Sequence, residues 1–187
     1  MRLWLLLLLG VSTATFAHPG HDLMVHSSMI AGMLHPFTGL DHLTMGLGLG
    51  LLMARTFRQT RLAGLALLLV SLASGFMLGV QHVVDGRIAE YGIVLSLVVL
   101  ALALWQRTDR MYWPLLALLG IFHGMAHGGE LEAGVAPLPF MIGMILSLAL
   151  LYQAGVMTGR VLCRQFQNGP RVASVLTGMI ALFELAS

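Results

Sequence analysis

The sequence contains few charged residues for its length. Only 10% of its 187 residues are charged, whereas 58% are hydrophobic. A soluble domain carries about 25% charged residues, and its apolar segments are usually shorter than the roughly 20 residues that cross a bilayer. The shortage of charge therefore argues against a water-exposed surface and predicts a single domain, an all-α polytopic membrane helix bundle.

Lysine is absent, so all ten basic residues are arginines. Most of them lie in short gaps between apolar runs and not in a patch that follows phosphates, so we expect no nucleic-acid partner. The single cysteine, Cys163, excludes an internal disulfide and a zinc–thiolate cluster. The GxxxxGK[ST] loop of nucleotide-binding proteins and the HExxH motif of zinc proteases are also missing.

The first 17 residues have the pattern of a secretory signal peptide. A positive charge at Arg2 precedes an apolar run from Leu3 to Val11, which is too short to span a membrane. We predict cleavage after Ala17, with an uncleaved amino-terminal anchor as the alternative. Residues 18–27 would then form a periplasmic tail with three histidines that we consider as a capture site for metal ions: His18, His21 and His26.

Residues 28–187 contain six apolar segments and predict six transmembrane helices. The segments lie near 28–54, 61–82, 87–106, 112–129, 135–159 and 169–186. Eight arginines fall in the first, third and fifth gaps and one in the other two. Because arginine excess marks the cytoplasmic side, we expect a multi-pass protein of the bacterial inner membrane with a periplasmic mature amino terminus. The first and fourth segments are both rich in histidine and glycine, which suggests a 3+3 inverted repeat or chance similarity.

The first segment contains HPFTGLDH, which brings His35, Asp41 and His42 into the membrane. Ionisable groups there cost about 2.5–3.5 kcal/mol each on insertion scales and are usually functional. The two histidines are seven residues apart, so a straight helix places them on nearly the same face, about 10 Å apart along its axis. Asp41 points elsewhere in such a helix, but a break at Pro36 and Gly39 would turn it inward.

The fourth segment ends in FHGMAHGGE, in which His123, His127 and Glu130 follow spacings of four and three residues. Such spacings place the three side chains on one helical stripe. Two imidazoles and a carboxylate on one face suit a borderline divalent metal ion. We therefore predict a metal path formed by the first and fourth segments, starting from the outer side.

Three further ionisable residues are placed by the predicted orientation. His82 and Glu90 fall on the outer side and are additional candidates for the metal path. A lone membrane histidine such as His82 equally often forms a hydrogen bond between helices. Glu184 lies near the chain end, and we expect it to snorkel to the interface and not to join the path.

Both motifs resemble those of the HupE/UreJ family of nickel permeases. H-x5-D-H runs from His35 to His42, and FHGxAHxxE runs from Phe122 to Glu130, each in full. The resemblance covers nearly the whole chain and implies uptake of Ni²⁺ for urease or hydrogenase maturation, with nickel-enzyme accessory proteins as further partners. The metal ion is then a substrate, with no permanently bound cofactor and no enzymatic activity. The implied metal-binding residues are His35, Asp41, His42, His123, His127 and Glu130.

Other functions stay open at this point. The family also resembles cobalt permeases, and residue types alone do not separate Co²⁺ from Ni²⁺. His123 and His127 resemble one box of a membrane di-iron enzyme, although such sites need more histidine boxes than the two present. A haem carrier and a membrane metal-binding protein that does not transport are the remaining alternatives.

Overall fold

The computed structural model describes residues 28–106, 111–132, 134–166 and 168–186. Within these ranges the regular secondary structure is entirely helical. The helices are α1 Ser28–Leu34, α2 Leu40–Met53, α3 Arg58–Val80, α4 Gly86–Gln106, α5 Tyr112–Gly129, α6 Pro137–Gln165 and α7 Gly169–Ala186. The predicted signal peptide and the tail with His18, His21 and His26 lie outside the described residues, as do Arg107 and Arg110.

Four helices are long and apolar enough to cross a membrane, namely α3, α4, α6 and α7. The chain is therefore a multi-pass membrane protein. α2 is apolar but shorter, and α5 carries His123 and His127 within its 18 residues. α6 continues to Gln165, beyond the predicted end at 159, because long arginine side chains reach the interface from inside a helix end.

The first predicted span is broken where Pro36 and Gly39 indicated. α1 ends at Leu34, a 3-10 turn covers His35–Phe37, and Gly39 is extended with φ −101° and ψ 135° before α2 begins. Proline has no backbone N–H to continue an α-helix. The hydroxyl of Thr38 donates to the carbonyl oxygen of His35 at 2.7 Å and satisfies one of the groups that the break exposes. The break places Asp41 in the first turn of α2.

Three helix pairs hold the bundle together by close backbone approach. The most extensive contact joins α3 to α5, and α1 and α2 both pack along α6. A Cβ atom at Gly124 or Gly128 of α5 would clash with the carbonyl oxygens of Leu72 and Phe76 in α3. On α6, a Cβ atom at Gly143 would clash in the same way with a carbonyl oxygen of α1. Small residues are the usual means of such approach in membranes.

We expect Gly124→Ala to destabilise the bundle by about 1–3 kcal/mol, because backbone atoms of α3 cannot move aside as a flexible side chain would. The midpoint of thermal unfolding of the purified protein in detergent measures this effect. Gly129→Ala is the matched control, since its new Cβ would lie 3.8 Å from the nearest atom, the carbonyl oxygen of Gly79. Equal midpoints for the two variants would contradict the close contact of α3 with α5.

Another extensive helix contact joins α4 to α7. Ser174 of α7 donates its hydroxyl to the carbonyl oxygen of Ala101 in α4 at 2.6 Å. Arg55, in the turn after α2, and Arg171, in the first turn of α7, meet at one end of the bundle, where both residues line one cavity. The amino end of α2 and the carboxyl ends of α5 and α7 meet at the other end and form the site described next.

Candidate metal centre

A cavity of about 610 Å³ lies among α2, α4, α5 and α7. Its wall combines histidines with carboxylates, and none of its lining residues is an arginine. The residues that line it are His35, Thr38, Gly39, Asp41, His42, Glu90, Ile93, Val94, Ala126, His127, Glu130 and Glu184. Residues of both sequence motifs therefore line one cavity, whose wall also carries carboxylates.

Three imidazoles converge in this cavity from three different elements. His35 comes from the 3-10 turn, His42 from α2 and His127 from α5, and each offers a nitrogen within 4.8 Å of the other two. The ring centroids of His35 and His42 are 4.9 Å apart, closer than a straight helix would allow, because the break bends the chain between them. Ligand atoms about 2 Å from one divalent ion lie roughly 3 to 3.5 Å apart. The cluster therefore needs only small side-chain movements to hold an ion.

Asp41 fixes the orientation of His42. The Nδ1–H group of His42 donates to Oδ1 of Asp41 at 2.9 Å. This bond leaves the Nε2 lone pair of His42 as the ligand atom, in the arrangement by which carboxylates position metal-binding histidines. Nε2 is buried and has no hydrogen-bond partner among the described residues. A buried nitrogen without a partner is costly, and a metal ion would satisfy it.

His123 is fully buried beneath this cluster and faces the second oxygen of Asp41. Its Nδ1–H group donates to the carbonyl oxygen of Leu119 at 3.0 Å, so Nε2 carries a lone pair. Nε2 lies 3.4 Å from Oδ2 of Asp41. Two acceptor atoms face each other at this distance, and only a proton or a cation between them makes the contact favourable.

His127 and Glu130 lead from the cluster to the mouth of the cavity. Nδ1 of His127 lies 3.2 Å from Nε2 of His35 and 3.8 Å from Oε2 of Glu130. The Glu130 side chain is 60% exposed, whereas that of His127 is 11% exposed. The predicted stripe of His123, His127 and Glu130 thus extends through three depths and does not converge on one point.

Glu90 and Glu184 also lie in the cavity wall, but His82 does not. Glu90 was placed there by the predicted orientation of the spans. The expectation that Glu184 only snorkels to the interface is wrong, because α7 packs against α4 and carries this residue into the wall. The six predicted spans would return the chain end to the starting side, and this is the sequence signal that could have placed Glu184 in the wall. His82 is exposed in the turn after α3, with a left-handed backbone of φ 50°.

The turn between α3 and α4 carries an ion pair of Asp85 and Arg87 at this end. The backbone N–H of Arg87 donates to Oδ1 of Asp85 at 2.9 Å. This bond and the nearby guanidinium hold the pKa of the Asp85 carboxyl below its usual value. Asp85 therefore stays ionised across the physiological pH range.

Comparison with known proteins gives the same assignment as the two motifs. The chain is 27% identical over 185 residues to Protein HupE of Rhizobium leguminosarum bv. viciae. The aligned region covers 93% of this chain and 90% of that protein. No solved structure matches the chain. Residues 6–186 match the family described as HupE / UreJ protein. The match covers nearly the whole chain, and the protein therefore belongs to the HupE/UreJ family.

Proposed function

We propose that this protein is a secondary-type permease that imports a divalent transition metal, with Ni²⁺ as its preferred substrate. The observation that carries the proposal is the convergence of His35, His42 and His127 at the base of an acidic cavity. Nε2 of His42 and Nε2 of His127 are buried there without a hydrogen-bond partner in the described part of the chain. Imidazole nitrogens suit nickel, and they release it more readily than a thiolate cage would.

The depths of the polar residues suggest an order of contacts for the ion. Carboxylates at the mouth, among them Glu90, Glu130 and Glu184, raise the local concentration of hydrated cations. The three imidazoles replace part of the hydration shell, and Asp41 compensates the charge of the ion. The buried contact between Asp41 and His123 offers the next position inward, because it needs a cation or a proton. The metal is a substrate throughout.

The helix contacts support six spans arranged as a 3+3 inverted repeat. If α1 and α2 form one interrupted span, exchanging the first three spans for the last three converts the contact of α3 with α5 into that of α2 with α6. The same exchange maps the contact of α4 with α7 onto itself. Interrupted spans near the midplane are typical of substrate sites in inverted-repeat transporters. We propose that rocking of the two halves exposes the site to each side in turn.

We further propose that the arginine-bearing end faces the cytoplasm and that the acidic cavity opens to the periplasm. This orientation agrees with an inner-membrane protein and a periplasmic mature amino terminus. The tail with His18, His21 and His26 would then stand on the side from which the metal enters, as a capture segment. Family membership supports delivery of nickel to urease or hydrogenase maturation, with accessory proteins as partners.

Nickel binding is expected to weaken at least about tenfold when the pH falls from about 7.5 to about 4. Protons compete with the metal ion for the imidazole lone pairs, and a protonated ring cannot bind a metal. Equilibrium dialysis of the purified protein against Ni²⁺ measures this change. Binding that stays constant over this whole pH range would contradict histidine ligation.

The same purified protein separates the alternative functions. Excess Co²⁺ in the dialysis ranks the two metals, since residue types give the same affinity order in nearly any nitrogen–oxygen site. A haem carrier would show a Soret band, and a di-iron centre would bring tightly held iron. A Soret band or tightly held iron, in a protein that does not bind nickel, would contradict the permease proposal.

Glu184→Gln is expected to lower the initial rate of nickel uptake about two- to fivefold at low ionic strength, with a smaller loss at high salt. The variant removes one negative charge from the cavity wall and leaves the imidazoles in place. Glu132→Gln is the matched control, because Glu132 is exposed and does not line the cavity. Equal rates for the two variants would show that Glu184 does not act on the entering ion.

A further inference from the structure

A second polar cavity lies at the arginine-bearing end of the bundle, away from the metal centre. Its volume is about 450 Å³. Its wall contains two guanidinium groups and two amides but no carboxylate, and its lining residues are Arg55, Trp105, Gln106, Cys163, Phe166, Asn168, Pro170 and Arg171. Within the described residues neither arginine forms an ion pair. Among the described residues, no acidic group compensates the positive charge of this cavity.

Trp105 fixes the position of one of these charges. The guanidinium carbon of Arg171 lies 5.4 Å from the centroid of the Trp105 ring. Such stacking orients a guanidinium and leaves its edge free for an anion. Tryptophan side chains concentrate at the depth of the lipid headgroups. A cavity beside Trp105 therefore fits the depth at which the phosphates of a bilayer leaflet lie.

An apolar groove continues from this cavity along the outer surface of α4 and α7. Trp105, Asn168 and Arg171 line both the polar cavity and the part of the groove next to it. Trp105 also lines the part of the groove that extends to Leu182. The floor has no unsatisfied hydroxyl, since Ser174 donates to Ala101. The groove walls are apolar side chains that face the bilayer: Val98, Leu102, Val172, Val175, Leu176 and Leu182.

The length of the groove matches one leaflet. From Arg171 to Leu182 the rise along α7 is roughly 16 Å at 1.5 Å per residue, and half of a hydrocarbon core is about 15 Å. A free phosphate would use only the polar cavity and leave the apolar groove empty. The continuity of charge and groove fits a molecule that has an anionic head and a long apolar chain.

We propose that this site binds one anionic phospholipid, with its phosphodiester on Arg55 and Arg171 and an acyl chain in the groove between α4 and α7. Basic cavities between membrane helices are suited to anionic lipid headgroups. The proposal does not depend on metal transport. α4 and α7 also carry Glu90 and Glu184, so a bound lipid would hold together two helices that line the metal cavity.

Native mass spectrometry of the purified full chain with added phosphatidylglycerol tests the site. We expect one tightly held phosphatidylglycerol per chain, preferred over phosphatidylcholine with the same acyl chains. Replacing both cavity arginines, Arg55→Gln with Arg171→Gln, is expected to weaken this binding about 30-fold. Arg58→Gln, alone or with Arg87→Gln to match the charge change, is the control, because Arg58 and Arg87 are exposed and do not line the cavity.

A second variant separates the groove from the headgroup cavity. Gly178→Leu fills the groove floor, where a Cβ would lie 3.8 Å from the Ala101 side chain, and is expected to reduce lipid binding while both arginines remain. Inorganic phosphate at millimolar concentration should not displace the lipid. The proposal would be overturned by equal binding of the two lipids, by full displacement with phosphate, or by a lipid-free dimer in which a second chain covers the groove.

Discussion

Replacing His42 with alanine is expected to weaken Ni²⁺ binding by the purified protein at least about 100-fold. His42 offers the ligand atom whose orientation is most firmly set, because Asp41 accepts its Nδ1–H and leaves the buried Nε2 available for an ion. Without it, His35 and His127 remain as a pair of imidazoles, too few to displace most of the hydration shell of the ion. Isothermal titration calorimetry at about pH 7.5 measures the loss.

His82→Asn is the matched control for this experiment. His82 is exposed and lies outside the cavity wall, and asparagine tolerates its left-handed backbone better than most residues. We expect this variant to bind nickel as the unchanged protein does. Comparable losses in both variants would mean that the cluster of His35, His42 and His127 is not the principal binding site.

Asp41→Asn is expected to lower nickel affinity about 10- to 100-fold while the thermal unfolding midpoint stays the same or rises. The asparagine oxygen still accepts from His42 Nδ1, so that ring keeps its place. The new amide N–H can donate to Nε2 of His123, which removes the unfavourable contact between two acceptors. Loss of the charge nevertheless removes the compensation for a bound cation. In the same sample, the nickel affinity should therefore fall while the thermal unfolding midpoint stays the same or rises.

A change of another carboxylate controls for overall charge. Asp85→Asn also removes one negative charge at this end of the bundle, but Asp85 lies in the exposed turn before α4 and does not line the cavity. We expect normal nickel affinity in this variant. If Asp41→Asn unfolded the protein or bound nickel normally, Asp41 would be a structural residue and not a partner of the ion.

The sequence was sufficient to predict the helical membrane fold and the break in the first span. Both follow from local chemistry, since apolar length predicts helices in lipid and the pair Pro36 and Gly39 interrupts them. Helix ends were less accurate, as in α6, because arginines extend a helix past its apolar part. The sequence indicates helix packing only through glycines such as Gly124 and Gly128. These predict that another helix approaches closely, but not which one.

The candidate site shows the same division between local and long-range information. The two motifs supplied every imidazole of the cluster, because buried histidines are rare in a membrane without a function. The approach of His35 to His42 depends on the angle of the break, and the packing of α2 against α5 decides that His127, and not His123, joins the cluster. The position of Glu184 depends on the contact of α4 with α7. None of these can be derived from periodicity along one helix.

Uptake of radioactive Ni²⁺ into cells that express the full chain tests the proposed permease most directly. The membrane amount and orientation of each variant are measured in parallel. We predict accumulation above background in cells with the unchanged protein and with His82→Asn, and none with His42→Ala at equal membrane expression. Absence of uptake by well-expressed, correctly oriented unchanged protein would contradict a permease, even if the purified protein binds nickel.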